Sequence, residues 1–243
     1  MKARRGTALA MLPAAIVVAC LPLRLHAQSS PFSGTLALNS QLVDRGLAIT
    51  RSTPILQGAA SWNSPGGWTL GAAAGVQARA PGRMAEALVQ GARSWSLSDS
   101  WQMQANLLYY DYGSGARVRL YDRAEVGAHW IYRDVLTVGV SAIHAINGHH
   151  DKPMPAGDLT VHWPLPGGFS LTGGIGVAQY LLPPRGHYYD SRAFTYRYGD
   201  AGVAWTHGPW RLALDRIATD LSLPSGSRGP GAPRWVGSVS VGF

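Results

Sequence analysis

Apolar and polar residues alternate along most of the chain after residue 27, in segments of about 8 to 12 residues. A period of two residues places neighbouring side chains on opposite faces of a β-strand, and turn-forming Gly, Pro, Asn, Asp and Ser separate the segments. The pattern predicts strands near 35–44, 54–62, 68–78, 87–97, 101–111, 118–131, 135–146, 156–163, 169–180, 196–205, 210–218 and 234–243.

The two faces of the predicted strands differ in polarity. In the fifth strand apolar residues alternate with amide side chains, and in the sixth they alternate mainly with charged ones. In a barrel that spans a membrane the apolar face contacts lipid, so the polar face lines the interior. The residues predicted to line a pore on this basis are Asn39, Gln41, Gln102, Gln104, Asn106, Arg119, Arg123, Glu125, His129, Arg211 and Asp215.

The connections alternate between short turns and mostly longer loops, with longer ones predicted at 45–53, 79–86, 112–117, 147–155, 181–195 and 219–233. All the tryptophans except Trp235 flank the short turns, and most tyrosines lie near the longer loops. Short periplasmic turns, long extracellular loops and two aromatic belts are typical of outer-membrane barrels. The fold class predicted is therefore all-β: a twelve-stranded antiparallel transmembrane β-barrel.

The first 27 residues have the composition of an export signal. Three basic residues precede an apolar run over residues 8–23, and the small residue Ala27 precedes Gln28. This predicts a signal peptide at residues 1–27, a barrel domain at 28–243 and location in the cell outer membrane. The residues before Cys20 also resemble a lipoprotein cleavage box, so the cleavage site is left open between these two positions.

The charge and cysteine content exclude several classes of protein. Charged residues make up 14% of the chain, against about 25% in soluble domains. The predicted signal holds four of the 21 bases and none of the 13 acids, which leaves a formal net charge of +4 and no basic stripe for nucleic acid. Cys20 is the single cysteine, so a disulfide framework and a thiolate metal cluster are excluded.

The chain ends on Phe243 within an alternating segment, and Val239 and Val241 share the predicted face of Phe243. A terminal aromatic residue after alternating apolar positions resembles the signal that the outer-membrane assembly machinery reads on its substrates. The expected partners are this machinery, through the C-terminal strand, together with outer-membrane lipid and lipopolysaccharide. The pattern indicates no particular oligomeric state.

The segment at 36–58 carries an ordered series of short motifs: Leu36-Ala37-Leu38-Asn39-Ser40, Asp44-Arg45-Gly46, Arg51-Ser52 and Pro54-Ile55-Leu56-Gln57-Gly58. This order resembles the opening of the TorF family of porins, also called the Gcw_chp family. Family members usually have more aromatic residues before the Arg-Gly pair, where this chain has Leu42 and Val43. The resemblance implies an outer-membrane barrel of porin type with no assigned substrate.

Luminal Gln, Asn and Arg side chains predict a porin for the passive diffusion of small polar solutes. Arginines on the inner face either form a ladder that favours anions or pair with luminal acids in a network that fills the interior. The residues concerned are the bases Arg117, Arg119, Arg123 and Arg211 and the acids Glu125, Asp200 and Asp215. Arg45 either reaches the pore mouth or is a solvated loop residue. The alternative function is a closed barrel with a structural role or with loops that bind at the surface.

Enzymatic and metal sites are not expected. Residues 144–148 (His-Ala-Ile-Asn-Gly) resemble the His-x-Ser-Asn-Gly signature of outer-membrane phospholipase A, but Ile146 occupies the nucleophile position and cannot attack an acyl carbon. His149, His150 and Asp151 lie together in a loop, yet adjacent residues of an extended chain point opposite ways. A solvated loop is therefore favoured there, and no cofactor is predicted.

Overall fold

The computed structural model describes residues 31–50, 52–113, 122–146, 152–182, 192–221 and 235–243. The strands in these ranges are β1 (Phe32–Asn39), β2 (Val43–Asp44), β3 (Leu47–Ala48), β4 (Ile55–Asn63), β5 (Trp68–Gln77), β6 (Ala80–Ser96), β7 (Trp101–Asp111), β8 (Arg123–Tyr132), β9 (Leu136–Ala145), β10 (Met154–Pro164), β11 (Phe169–Leu182), β12 (Arg192–His207), β13 (Trp210–Thr219) and β14 (Trp235–Gly242). Twelve of them, β1 and β4–β14, pair antiparallel in chain order into a closed barrel. The predicted fold class is thus confirmed.

The barrel closes because β1 pairs with β4 on one side and with β14 on the other. The seam with β14 runs from Thr35 opposite Gly242 to Asn39 opposite Ser238. It is extended by two backbone hydrogen bonds between Gly34 and Phe243, with N···O distances of 2.8 and 3.0 Å. Every strand of the barrel therefore has a hydrogen-bonded neighbour on both sides, as a strand in lipid requires.

Side chains on the two faces of the wall differ as the alternation predicts. In β7, Leu107 and Tyr109 are exposed on the outside, whereas Gln104, Leu108 and Tyr110 are buried inside. Large apolar side chains are exposed in the same way on the outward positions of the other barrel strands. Contact with lipid accounts for such an outer surface, which is that of a membrane-spanning barrel.

The connections at one end of the barrel are short: 64–67, 97–100, 133–135, 165–168 and 208–209. Those at the opposite end, called the long-loop end below, are longer at 40–54, 112–122, 146–153, 183–191 and 220–234. Both β1 and β14 have their free ends at the short-turn end. Within the described residues, no helix is long and apolar enough to cross a membrane.

The loop predicted at 79–86 is wrong. Strands β5 and β6 pair down to Gln77 opposite Ala80, so only a two-residue turn remains between them. Pro81 and Gly82 favour a loop, but they lie in an exposed extension of the hairpin. The pairing of β5 with β6 shifts register on both sides of Val76, and Ala85 and Glu86 of β6 are both buried.

The first predicted strand, 35–44, is also wrong at its end. Strand β1 stops at Asn39, and the following residues leave the wall. Apolar residues continue past this point in the sequence, but they are buried inside the barrel rather than exposed to lipid. Strands β11 and β12 extend further than predicted, to Leu182 and from Arg192. Residues 1–30, which contain the predicted signal peptide, and residues 118–121 of the predicted sixth strand lie outside the described residues.

The outward position of Leu107 gives a test of the orientation of the wall. Leu107 lies near the middle of β7 with 59% of its surface exposed. Leu107→Arg is expected to lower the free energy of unfolding in lipid vesicles by about 2–4 kcal/mol, because it places a charge in the hydrocarbon layer. The matched control is Gly82→Arg, where an added Cβ meets no atom within 4 Å. Equal effects of the two substitutions in urea titrations would contradict this orientation.

Candidate functional site

Residues 40–50 leave the wall after β1 and fold into the lumen at the long-loop end. Within this segment, named the inner hairpin here, β2 pairs with β3 through Val43 opposite Ala48 and Asp44 opposite Leu47. The side chains of Leu42, Val43, Leu47 and Ala48 are at most 3% exposed. The inner hairpin therefore fills the interior at this level instead of extending from the barrel mouth.

The tip of the inner hairpin is the Arg45-Gly46 pair. Both residues have positive φ, 45° and 77°, as a tight two-residue hairpin turn requires. Gly46 also lies against the wall, since a Cβ added there would be 2.7 Å from the Cβ of Tyr198. The turn presents Asp44 and Arg45 to the opposite side of the lumen. Arg45 is only 8% exposed, so it is not a solvated loop residue. Its position in the lumen at the long-loop end agrees with the other alternative, a place at the pore mouth, which stays a prediction.

Two arginine–carboxylate pairs join the inner hairpin to β8. Arg45 donates two hydrogen bonds to the Glu125 carboxylate, one of them with an Nη1···Oε2 distance of 3.1 Å. It also donates to the Ser141 hydroxyl at 3.3 Å. In return, Arg123 Nη1 donates to Asp44 Oδ2 at 2.6 Å, and Arg123 Nε lies 3.6 Å from Glu125 Oε2. The hairpin and the wall thus each contribute one acid and one base to a buried network of four charges.

The charged network is enclosed by aromatic and aliphatic side chains. The Arg123 guanidinium lies over the Tyr110 ring at 4.2 Å from its centroid, and Tyr110 stacks on Tyr112 with centroids 6.1 Å apart. Leu47 and Ile49 of the hairpin join a buried cluster with side chains from the barrel wall. Each such apolar side chain contributes about 1.5–3 kcal/mol when fully buried. The hairpin is therefore held by apolar burial as well as by its ion pairs. The wall residues of the cluster include Ile55, Leu88, Leu108, Ile143, Met154 and Tyr196.

The Asp44 carboxylate remains ionised in this setting. Burial alone would raise the pKa of Asp44, but the guanidiniums of Arg123 and Arg45 hold it below its ordinary value. A carboxyl group whose pKa is lower in the folded than in the unfolded state stabilises the fold above its unfolded pKa. That contribution is lost as the pH falls through the folded pKa. The ion pairs of the inner hairpin are therefore intact at neutral pH.

Between the inner hairpin and the short turns, the interior is lined by polar side chains. Asp215 is 1% exposed, and its Oδ1 accepts a hydrogen bond from Thr172 Oγ1 at 3.1 Å. The other oxygen, Oδ2, has no hydrogen-bond partner, and neither do Nε and Nη2 of Arg211. Asn106 lies 3.3 Å from Nδ1 of His129. This region, named the polar chamber here, contains buried charges that the wall itself does not fully pair.

The predicted pore-lining residues face the interior wherever the structure describes them, but most are buried. Gln41 belongs to the inner hairpin and not to β1, and its Nε2 donates to the Thr50 carbonyl at 2.7 Å. The residues less than 9% exposed are Gln41, Gln104, Arg123, Glu125, His129, Arg211 and Asp215. Asn39, Gln102 and Asn106 are partly buried, and Arg117 and Arg119 lie outside the described residues. Their role in lining a pore stays a prediction.

Sequence reasoning missed the contribution of Asp44 to the charged network and the inward position of the tyrosines. Tyr110, Tyr112 and Tyr196 are each 3% exposed and lie inside the barrel, whereas the sequence suggested an outer aromatic belt. For Tyr110 the period-two pattern contained the signal, because its neighbour Tyr109 is exposed outside. For the hairpin the available signal was Asp44-Arg45-Gly46 itself, a polar pair followed by a glycine suited to a tight turn.

The structure describes only part of the sites considered for catalysis and metal binding. His144 is exposed on the outer face of β9, and Ile146 is 44% exposed just after it. In the part of the chain that the structure describes, no three His, Cys, Asp or Glu side chains come together as metal ligands. Residues 147–151, with His149, His150 and Asp151, lie outside that part.

Comparison with family models and with curated proteins gives no match. Among solved structures, the chain is similar to KdgM porin, with 8% identity, a TM-score of 0.52 and coverage of 87% of this chain and 98% of that one. NanC porin matches with 9% identity, a TM-score of 0.52 and coverage of 87% and 97%. A structure from work on the in-meso crystallization of membrane proteins matches with 12% identity, a TM-score of 0.53 and coverage of 87% and 83%.

These likenesses show that the chain shares the closed barrel fold of outer-membrane porins. They agree with the general prediction of a porin-type barrel. The narrower resemblance to the TorF family depends on the motifs at 36–58 and stays a prediction.

The ion pairs of the inner hairpin can be tested by the accessibility of Leu47, which is 2% exposed. Leu47→Cys would be the single cysteine of residues 28–243, and a thiol reagent should label it slowly in the folded barrel. Adding Glu125→Gln leaves Arg45 buried without its carboxylate, a cost of about 3–5 kcal/mol that release of the hairpin avoids. Labelling is then expected to be at least an order of magnitude faster. Asp134→Asn, in a short turn, is the control. An unchanged labelling rate in the Glu125 variant would show that the ion pairs do not hold the hairpin in place.

Proposed function

We propose that the chain forms a channel for small polar solutes in the outer membrane of a Gram-negative-type bacterium, and that the inner hairpin is its constriction. The observation that carries the proposal is a loop held by ion pairs inside a closed, membrane-spanning barrel. Asp44 and Arg45 on the loop face Arg123 and Glu125 on the wall.

The location is supported by the wall and by the connections. An apolar outer surface requires lipid around the barrel, and closed barrels of this type are found in outer membranes. Short turns at one end and longer loops at the other favour a periplasmic position for the short-turn end. The inner hairpin then lies on the extracellular side of the lumen, where an incoming solute would first meet it.

The way the inner hairpin is attached supports a constriction that can move. Among the described residues, the backbone hydrogen bonds of residues 41–50 lie within the hairpin, as in Ile49 N to Leu42 O at 3.0 Å. The barrel ladder, in contrast, runs without the hairpin from β1 directly to β4. Displacing residues 41–50 would therefore break side-chain contacts and ion pairs but no strand pairing of the barrel, since the backbone bond from Ser40 N to Gly237 O at 2.9 Å precedes them.

The polar chamber supports the proposal that the solutes that pass through the channel are small and polar. Hydroxyl, amide and charged side chains on its wall offer hydrogen bonds that replace part of the hydration of a solute. A barrel of twelve strands is intermediate between small barrels filled by their side chains and wide water-filled porins. A narrow path that passes small solutes matches this size.

Planar-bilayer recordings of a chain that begins at Gln28, refolded as a heat-modifiable barrel, test the proposal. We expect steady conductance steps, and larger steps by several-fold when Asp44→Asn is combined with Arg45→Gln, because the variant hairpin loses both ion pairs. Arg83→Gln combined with Asp134→Asn changes the same kinds of charge outside the lumen and is the matched control. The Asp44→Asn, Arg45→Gln protein is called the tether variant below. If the wild type and the tether variant both fold but conduct no current, the channel is contradicted.

The Asp44 carboxylate also gives the channel a pH dependence. Its pKa is lowered in the folded protein, so its stabilisation of the hairpin is complete at neutral pH and is lost on acidification below about pH 4. Single-channel conductance is expected to rise over that acidic range. In Asp44→Asn the change with pH should be much smaller, and an identical pH response in both proteins would exclude Asp44 as its cause.

A closed barrel that binds partners through its loops is the second candidate. The observation that favours it is the burial of the interior: Leu47, Glu125 and Asp215 are 2%, 4% and 1% exposed. A lumen this well filled suits a structural barrel as well as a gated one. Absence of conductance in the well-folded wild type and in the tether variant would favour this candidate.

A further inference from the structure

We infer that the channel selects cations, so that its solutes are small cationic or neutral polar molecules rather than anions. This inference rests on the channel function proposed above and names the class of solute. It starts from the charged side chains that face the lumen on the described part of the wall. Apart from Glu86, which is almost fully buried near Asp44, the acids are Glu125, Asp158, Asp200 and Asp215, and the bases, at neutral histidines, are Arg123 and Arg211.

The inner hairpin does not change this balance, because Asp44 and Arg45 contribute opposite charges. The positive charge of Arg123 is also not free to attract anions. Its guanidinium contacts Asp44 at 2.6 Å and Glu125 at 3.6 Å, and it lies over the Tyr110 ring. Of the arginines that could form an anion ladder, Arg211 is the described one that the wall leaves without a carboxylate within 4 Å.

Asp158 and Asp200 face the polar chamber together with Asp215, and these three aspartates differ from the paired acids at the hairpin. No base of the described chain lies within ion-pair distance of Asp158, Asp200 or Asp215. Asp215 is 1% exposed, and its Oδ2 is buried without a hydrogen-bond partner. An ionised carboxylate in that position is stabilised by a cation that the wall does not supply.

The positions of these aspartates depend on glycines in the neighbouring strands. Asp158 on β10 lies over Gly139 on β9, where an added Cβ would be 2.7 Å from its Oδ2. Asp200 on β12 lies over Gly174 on β11, with a corresponding distance of 2.8 Å to its Oδ1.

Asp215 on β13 lies over Gly202 on β12 in the same way. Each carboxylate thus occupies space that a side chain on the neighbouring strand would fill. The arrangement places three carboxylates along one side of the lumen, from β9 to β13.

Unpaired carboxylates in a narrow, low-dielectric path attract cations and repel anions. Acidic rings have this effect in cation channels, and clefts lined by one sign of charge concentrate the opposite ion. Against three carboxylates, the described residues contribute one guanidinium to the chamber, that of Arg211. Primary amines and monovalent metal cations are therefore the solutes that fit this wall.

Reversal potentials in a KCl gradient across neutral lipid at neutral pH test the inference. For the wild type we expect K⁺ to be several-fold more permeant than Cl⁻. The triple variant Asp158→Asn, Asp200→Asn and Asp215→Asn should lose this preference. The matched control, Asp99→Asn, Asp134→Asn and Asp220→Asn, removes the same charge outside the chamber and should keep it.

A second variant changes the positive charge of the chamber and leaves the three aspartates in place. Arg211→Gln removes the one arginine that the described residues contribute to the chamber and should raise the preference for K⁺ several-fold. A conducting wild type that favours Cl⁻, or a preference unchanged in both chamber variants, would overturn cation selection and leave the channel itself intact. Absence of conductance in the wild type and in the tether variant would instead overturn the channel, and the inference with it.

Discussion

The lipid bilayer offers no partners to backbone N–H and C=O groups, and the rest of this structure depends on that constraint. It requires closure of the sheet, which the pairing of β1 with β14 provides. Closure in turn gives every strand one face toward lipid and one toward the interior, so the alternation of the sequence becomes a division between outside and inside. The polar face is then enclosed, and its charges need partners or water within a narrow space.

The barrel meets this need differently at its two ends. At the long-loop end, the inner hairpin supplies Asp44 and Arg45 to the wall residues Arg123 and Glu125, so each of these four charges has an opposite neighbour. Such a network adds little stability compared with apolar packing, but loss of one partner is costly. Among the described residues no segment of this kind enters the polar chamber, and Asp215 keeps an oxygen without a partner. The unpaired charges are thus concentrated where a passing solute could pair with them.

The barrel could be predicted from sequence because its signal is local. A period of two residues, an even number of segments and tryptophans beside short turns are each visible within a few residues. The inner hairpin could not be predicted in this way, since the polar position of Gln41 continues the alternation of β1. What turns the chain inward is pairing with residues 79 and 80 positions away along the chain. The extension of β6 was missed for a related reason, because Pro81 and Gly82 indicate a turn locally while pairing with β5 sets the strand.

A difference in how the parts are held connects the structure to its proposed function. The wall is joined by continuous backbone ladders, whereas residues 41–50 are joined to it by apolar contacts and by side-chain bonds at the tip, two of them ion pairs. Elements attached in the second way open at lower free energy than those attached in the first. Motion of the hairpin is therefore separable from unfolding of the barrel, as a gate requires. The closed barrel and the channel differ only in whether this smaller free energy is overcome under working conditions, since both contain the same wall, hairpin and polar chamber.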